Sequence, residues 1–163
     1  MRKQTLTLPW PPSVNQAYRS IVIKGQPRVL LSSAGRAYKE RAAFDLLRQG
    51  ARNHGQDRVA VLVICYPPDR RDRDLGNLDK ILIDSLEPMV FLNDSQIDLI
   101  TWVRAGVRKD GLVEITVESL STPPEQPDLL RMAAGRHNEL LQQLGESGGI
   151  EAAQRIKGEE VLR

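Results

Sequence analysis

The chain has 163 residues, 40% of them hydrophobic and 27% charged, with 23 Lys/Arg against 21 Asp/Glu for a net charge of +2. A chain of that length buries enough surface to fold without staples, and its one cysteine permits no intramolecular disulfide, so a disulfide mini-protein and a wholly disordered chain are excluded. One cysteine and two histidines are too few for a structural zinc site, and no apolar run approaches the ~20 residues of a membrane span.

The basic start of the chain is interrupted by Pro9, Pro11 and Pro12, too early for a signal peptide, so the expected setting is a reducing cytoplasm. Thr5 to Leu8 alternates as a short strand, and Trp10 to Asn15 reads as a rigid proline turn. Ile21–Ile23 and Arg28–Leu31 flank Lys24–Pro27 as a hairpin. Ser32 or Ser33 caps a helix running to about Arg52, with Ala37, Phe44 and Leu47 on its apolar side and Arg36, Lys39, Arg41 and Arg48 exposed. Val59 to Tyr66 is apolar throughout and predicts a central strand covered on both faces, with Cys65 a packed core thiol. A charged loop over Asp69–Arg73 leads into a helix from about Asp74 to Leu86. Strands are expected over Gln96–Arg104 and around Val113–Val117. The composition then changes: residues 1–119 read as one α+β domain, 120–127 as a linker, and 128–163 as a helical extension suited to a protein partner.

The net charge hides an asymmetry. Residues 1–66 carry 11 Lys/Arg and 3 Asp/Glu, while residues 67–163 carry 12 and 18. Such a division suits attraction of a polyanion by one part and carboxylate chemistry in the other, although solvated faces produce the same letters.

The informative stretch is Asp69 to Asp98. On a continuous helix from Asp74, at about 100° per residue, Leu75, Leu78, Leu82 and Leu86 gather on one face. Asn77, Lys80 and Asp84 gather on the other, while Asp79 turns toward the leucines. A second acidic turn, Asn93-Asp94-Ser95-Gln96, follows shortly after. Carboxylates from separate elements beside a lysine and arginines suit a hard divalent cation at a phosphodiester, since magnesium takes oxygen ligands and keeps several waters. Ordinary ion pairs would give a similar pattern. Only seven aromatic residues are present, too few for a single-strand stacking platform, and Trp10 and Trp102 read as core.

The order and spacing of three blocks resemble the RusA family of Holliday-junction resolvases. Leu8-Pro9-Trp10-Pro11-Pro12-Ser13, Asn15 and Tyr18-Arg19 form the first block, and Ser33-Ala34-Gly35, Ala37 and Tyr38 the second. The third runs through Pro68-Asp69-Arg70-Arg71, Arg73-Asp74-Leu75, Asn77-Leu78, Lys80 and Asp84 to Asp94, Gln96 and Ile97. The resemblance implies a mixed-sheet α+β fold. It implies a homodimeric endodeoxyribonuclease that resolves four-way DNA junctions in recombination and repair by paired symmetric nicks, using magnesium, with manganese as substitute. It also implies a bacterial, prophage or phage setting.

Carried over by position, Asp74 and Asp94 are metal ligands and Lys80 is the catalytic lysine, with Asn77 in support. Where the family pattern has a further aspartate, this chain has Gly76. Asp84 is the favoured replacement ligand, ahead of Asp72 and with Asp79 poorest. Otherwise water fills the place, or the chain is a binding relative of little activity. Arg19, Lys24, Arg28, Arg36, Lys39 and Arg41, with Arg70, Arg71 and Arg73, are the expected phosphate contacts.

Overall fold

The computed structural model describes residues 2–120 and Gly135, and the elements below fall within one compact unit, Met1–Pro123. The linker expected over 120–127 and the extension over 128–163 lie outside the described residues, apart from Leu120 and Gly135.

Four strands form a mixed sheet in the order β1 (Lys3–Pro9), β6 (Leu112–Leu120), β4 (Arg58–Tyr66), β5 (Ile97–Arg104). β4 pairs parallel with β5, and the other neighbours are antiparallel. Helices α2 (Ser33–Arg48) and α3 (Asp79–Leu86) complete the two-layer α+β architecture that the sequence predicts, with a four-residue helix α1 (Val14–Ala17) beside them. The core joins Val59, Val61, Val63 and Cys65 of β4 to Leu46 of α2 and Ile81, Leu82 and Leu86 of α3. Burial pushes the Cys65 thiol up to about 11, as a packed core thiol requires. No helix among the described residues is long and apolar enough to cross a membrane.

Three expectations need correction. β4 is central but not covered equally on both faces: Leu62, Ile64 and Tyr66 stay half-buried among the described residues. A sheet with its helices on one side buries only alternate residues. In α2 the buried side is Gly35, Tyr38, Ala42, Asp45 and Leu46, while Phe44 and Leu47 are 60% and 70% exposed and Ala37 is exposed as well. Close approach decides this. A Cβ at Gly35 would stand 2.5 Å from the Ala17 carbonyl oxygen, so only glycine fits where the helix meets α1. The helix also stops at Arg48 rather than Arg52, and Gly50 leaves it at φ 67°.

Gln49 then serves the free edge of β1. Its amide accepts from Thr7 N at 2.8 Å and donates to Thr7 O at 2.7 Å, so a side chain takes the place of a neighbouring strand. Apart from the main sheet, β2 (Tyr18–Ile23) and β3 (Gln26–Leu31) form a two-stranded ribbon. Its turn is Lys24-Gly25, both at positive φ (49° and 75°), the combination that matches strand twist in a two-residue hairpin.

Candidate active site

The helix expected from Asp74 is two pieces. Leu75–Leu78 is a 3-10 turn, and α3 begins only at Asp79. Asp74 caps the turn: its Oδ1 accepts from Gly76 N at 2.9 Å. A 3-10 turn advances about 120° per residue rather than 100°. The helical wheel therefore cannot be carried back across residue 78, and Asp74 and Asn77 do not share a face with Lys80 and Asp84. They line one depression of about 280 Å³ with Trp10, Ser13, Gln16, Asp72 and Arg73.

The remaining acidic residues meet elsewhere. Asp79, Lys80 and Asp84 from α3 and Asp94 and Ser95 from the second acidic turn line a depression of about 420 Å³, floored by Ile83, Ile97 and Ile100. The expectation that Asp79 turns toward the leucines is wrong. It stands at the junction of the 3-10 turn and α3, and it is exposed at this depression. Burial, followed by the charges of Asp84 and Asp94, raises its pKa against the opposing pull of Lys80.

Asp84 is already engaged. Its Oδ2 accepts from the Tyr18 hydroxyl at 2.6 Å and lies 3.2 Å from Lys80 Nζ. Lys80 Nζ also sits 5.6 Å from the Tyr18 ring centroid. Burial and the Asp84 carboxylate both raise the Tyr18 pKa, so the hydroxyl remains a donor. Asp84 thus holds the lysine in place, the role the geometry gives it in a single chain. Among the described residues no three His, Cys, Asp or Glu side chains converge as a closed metal cage.

The loop bearing Asp94 is held by the next residue but one. Gln96 is buried, and its Oε1 accepts from Leu92 N at 2.8 Å and Asn93 N at 3.0 Å. Its Nε2 donates to the carbonyls of Gly55 and Asp57, each at 2.8 Å. All four hydrogen-bonding positions of the amide are used. Glu87 Oε1 accepts from Asp94 N at 2.6 Å, next to a cis Glu87–Pro88 bond. The Asp94 carboxylate itself has no partner among the described residues.

The expected phosphate contacts divide in the same way. Arg73 grips Asp69 with both terminal nitrogens, at 2.5 and 2.8 Å, and its carbonyl accepts from Arg104. The guanidinium and the Arg71 amide hold the Asp69 carboxyl well below the usual carboxylate range. Arg73 therefore shapes the loop. Arg41 is paired with Asp45 at 2.9 Å, and Arg36 donates to the Leu31 carbonyl at 2.8 Å. Arg71 reaches Asp69 only at 3.9 Å and stays exposed. Arg19, Lys24, Arg28, Lys39 and Arg70 have no ion pair among the described residues.

Sequence reasoning assigned no role to Tyr18 or Gln96 and ranked Asp79 as the poorest replacement ligand. Tyr18 and Gln96 stood inside the recognised blocks, so the signal was present without a contact to explain it. Asp79 was lost to a helix start placed five residues early.

Comparison with known proteins agrees with the blocks. The family model for endodeoxyribonuclease RusA matches residues 9–118. Crossover junction endodeoxyribonuclease RusA of Escherichia coli strain K12 is 34% identical over 122 residues, covering 74% of this chain and 98% of that protein. The proteins of the same name from Shigella sonnei strain Ss046 and Enterobacteria phage 82 match at the same identity and coverage. With the fold, the two acidic turns and the lysine in place, the chain belongs to the RusA family of endodeoxyribonucleases.

Proposed function

We propose that the chain is a divalent-metal-dependent endodeoxyribonuclease that resolves four-way DNA junctions by paired symmetric nicks. The observation that supports this most is the meeting of Asp79, Lys80, Asp84 and Asp94 in one open depression, in a chain of this family. The two cuts must be symmetric to resolve a junction, and a two-fold homodimer supplies that symmetry.

The donor set fits magnesium or manganese. Every available atom is a hard oxygen, and Asp79 and Asp94 have carboxylates without partners among the described residues. Burial raises the Asp79 pKa most, and the Asp84 and Asp94 charges add a like-charge repulsion that a cation relieves. Asp79 and Asp94 would hold the ion, with waters and phosphate oxygens completing its shell. Asp74 keeps its second oxygen free in the separate depression. When bound, the cation supplies Lewis-acid activation of the phosphodiester.

The chain's own groups do the rest. Lys80, oriented by Asp84, puts positive charge where the phosphoryl oxygens gather. Arg19, Lys24, Arg28, Lys39, Arg70 and Arg71 attract the backbone without reading sequence.

The test is a synthetic four-way junction with magnesium, manganese or EDTA. Paired nicks are expected with either metal and none in EDTA. Asp94→Asn abolishes cutting and leaves junction binding intact, because removing negative charge does not weaken phosphate attraction. A chain that binds the junction yet cuts it with neither metal refutes the reading.

A further inference from the structure

The β2–β3 ribbon carries features that the cutting chemistry does not use. Residues 18–31 contain Arg19, Lys24 and Arg28 and no acidic residue. The ribbon's register puts Tyr18, Ser20 and Val22 opposite Leu31, Val29 and Pro27, so these six share one face. At the root of that face, Tyr18 reaches Asp84 beside Lys80, and Leu31 packs on the core. Toward the tip it becomes an apolar strip in open solvent: Val22 is 72% exposed and Val29 66%. On the other face, Arg19 and Arg28 stand among Ile21, Ile23 and Leu30. A two-stranded ribbon with this much exposed apolar surface is marginal by itself in water.

Phosphate attraction alone accounts for the three cations but not for the exposed valines, which lie on the face opposite Arg19 and Arg28. The ribbon carries no acidic residue that could pair with the cations of a second copy. DNA answers both features. Its backbone is negative, its base edges offer apolar thymine methyls, and its major groove, about 12 Å wide, admits a two-stranded β-ribbon. We propose that this ribbon enters the groove of a junction arm, with Arg19, Lys24 and Arg28 on the phosphates and Val22 and Val29 against base edges. The ribbon thereby sets which sequences are cut. Because its root is tied through Tyr18 to Asp84, groove engagement fixes the register between the bases read and the phosphodiester presented to Lys80. The inference rests on the junction-cutting reading above.

The experiment maps cut positions on a junction whose branch point can migrate through many sequences, comparing the unaltered chain with Val22→Ser/Val29→Ser and Lys24→Ala/Arg28→Ala. All four positions are exposed, so folding is expected to survive, and the melting temperature checks it. The unaltered chain should prefer some sites by a wide margin. The serine pair should narrow that preference by roughly fivefold or more, the scale of one base-pair contact, while total affinity and its salt dependence stay the same. The alanine pair should weaken binding to all sequences alike and lower the slope of log affinity against log salt by about two. An unchanged cut-site pattern in the serine pair overturns the inference. So does a serine-pair variant that becomes monomeric where the unaltered chain is dimeric, because the strip then belongs to a second copy. If the unaltered chain cuts no junction at all, the enzymatic reading fails and the inference goes with it.

Discussion

Replacing Gln96 by Leu tests the link between packing and the acidic site. The substitution keeps the volume approximately and removes four hydrogen bonds: two accepted from Leu92 N and Asn93 N, two donated to Gly55 O and Asp57 O. A typical bond contributes about 0.5–1.5 kcal/mol net, and an unsatisfied buried group costs about 1–3 kcal/mol. These four are part-buried rather than sealed, so water can replace some of them. The expected loss is about 2–4 kcal/mol. For a chain of this size that lowers the melting temperature by roughly 5–15 °C. The segment released carries Asp94, so nicking should fall even at temperatures where the variant remains folded, and more metal should be needed. Thermal unfolding by circular dichroism, followed by cleavage and direct manganese titration at a temperature well below the transition, separates the two effects. A variant that melts within about 2 °C of the unaltered chain and binds manganese as tightly would refute the argument that this amide holds the Asp94 loop.

Three further outcomes are expected. Gly76→Asp should be tolerated, because the backbone there is outside the left-handed region and an added Cβ meets only the Asp74 carboxylate, at 3.3 Å. The new carboxylate would join Asp74 and not Asp79 and Asp94, so the magnesium concentration for half-maximal cutting should stay unchanged, and a lowered requirement refutes the assignment of the ion to Asp79 and Asp94. Tyr18→Phe removes the 2.6 Å hydrogen bond to Asp84 while keeping the ring under Lys80. The cutting rate under saturating junction should fall several-fold with binding unaltered, whereas a pure binding defect would contradict the positioning role of Asp84. His54 is buried, with Nδ1 bonded to Ser119 Oγ at 2.8 Å and Nε2 unpartnered, and burial, then Arg2, lower its pKa. The unfolded chain therefore binds the proton more readily. The stability this residue contributes is full above its ordinary value of 6.5 and declines as pH falls below it. The melting temperature should drop between about pH 7 and 5, and His54→Gln should flatten that part of the profile.

Covalent order alone made the family blocks legible, because each motif is a run of neighbours. The alternation of Val113 to Val117 and the apolar run of β4 likewise gave their strands, since a strand's period is a local property. The hairpin around Lys24–Pro27 was legible from its turn residues, although the folded turn is only Lys24-Gly25 and Gln26 and Pro27 belong to β3. What needed the folded chain was every choice among competing faces. The leucine pattern around residue 78 fits one helix as well as a 3-10 turn followed by a helix. Only the Asp74 cap and the packing of Leu78 separate the two, and that separation moves Asp74 away from Lys80 and brings Asp79 to Asp94. In α2, Phe44 and Leu47 have the stronger hydrophobic claim. Gly35 faces α1 because the Ala17 carbonyl approaches too closely for any side chain. The roles of Tyr18 and Gln96 depend on partners 66 and up to 41 residues away. Local sequence records which groups a residue can offer, while long-range packing decides which of them meet.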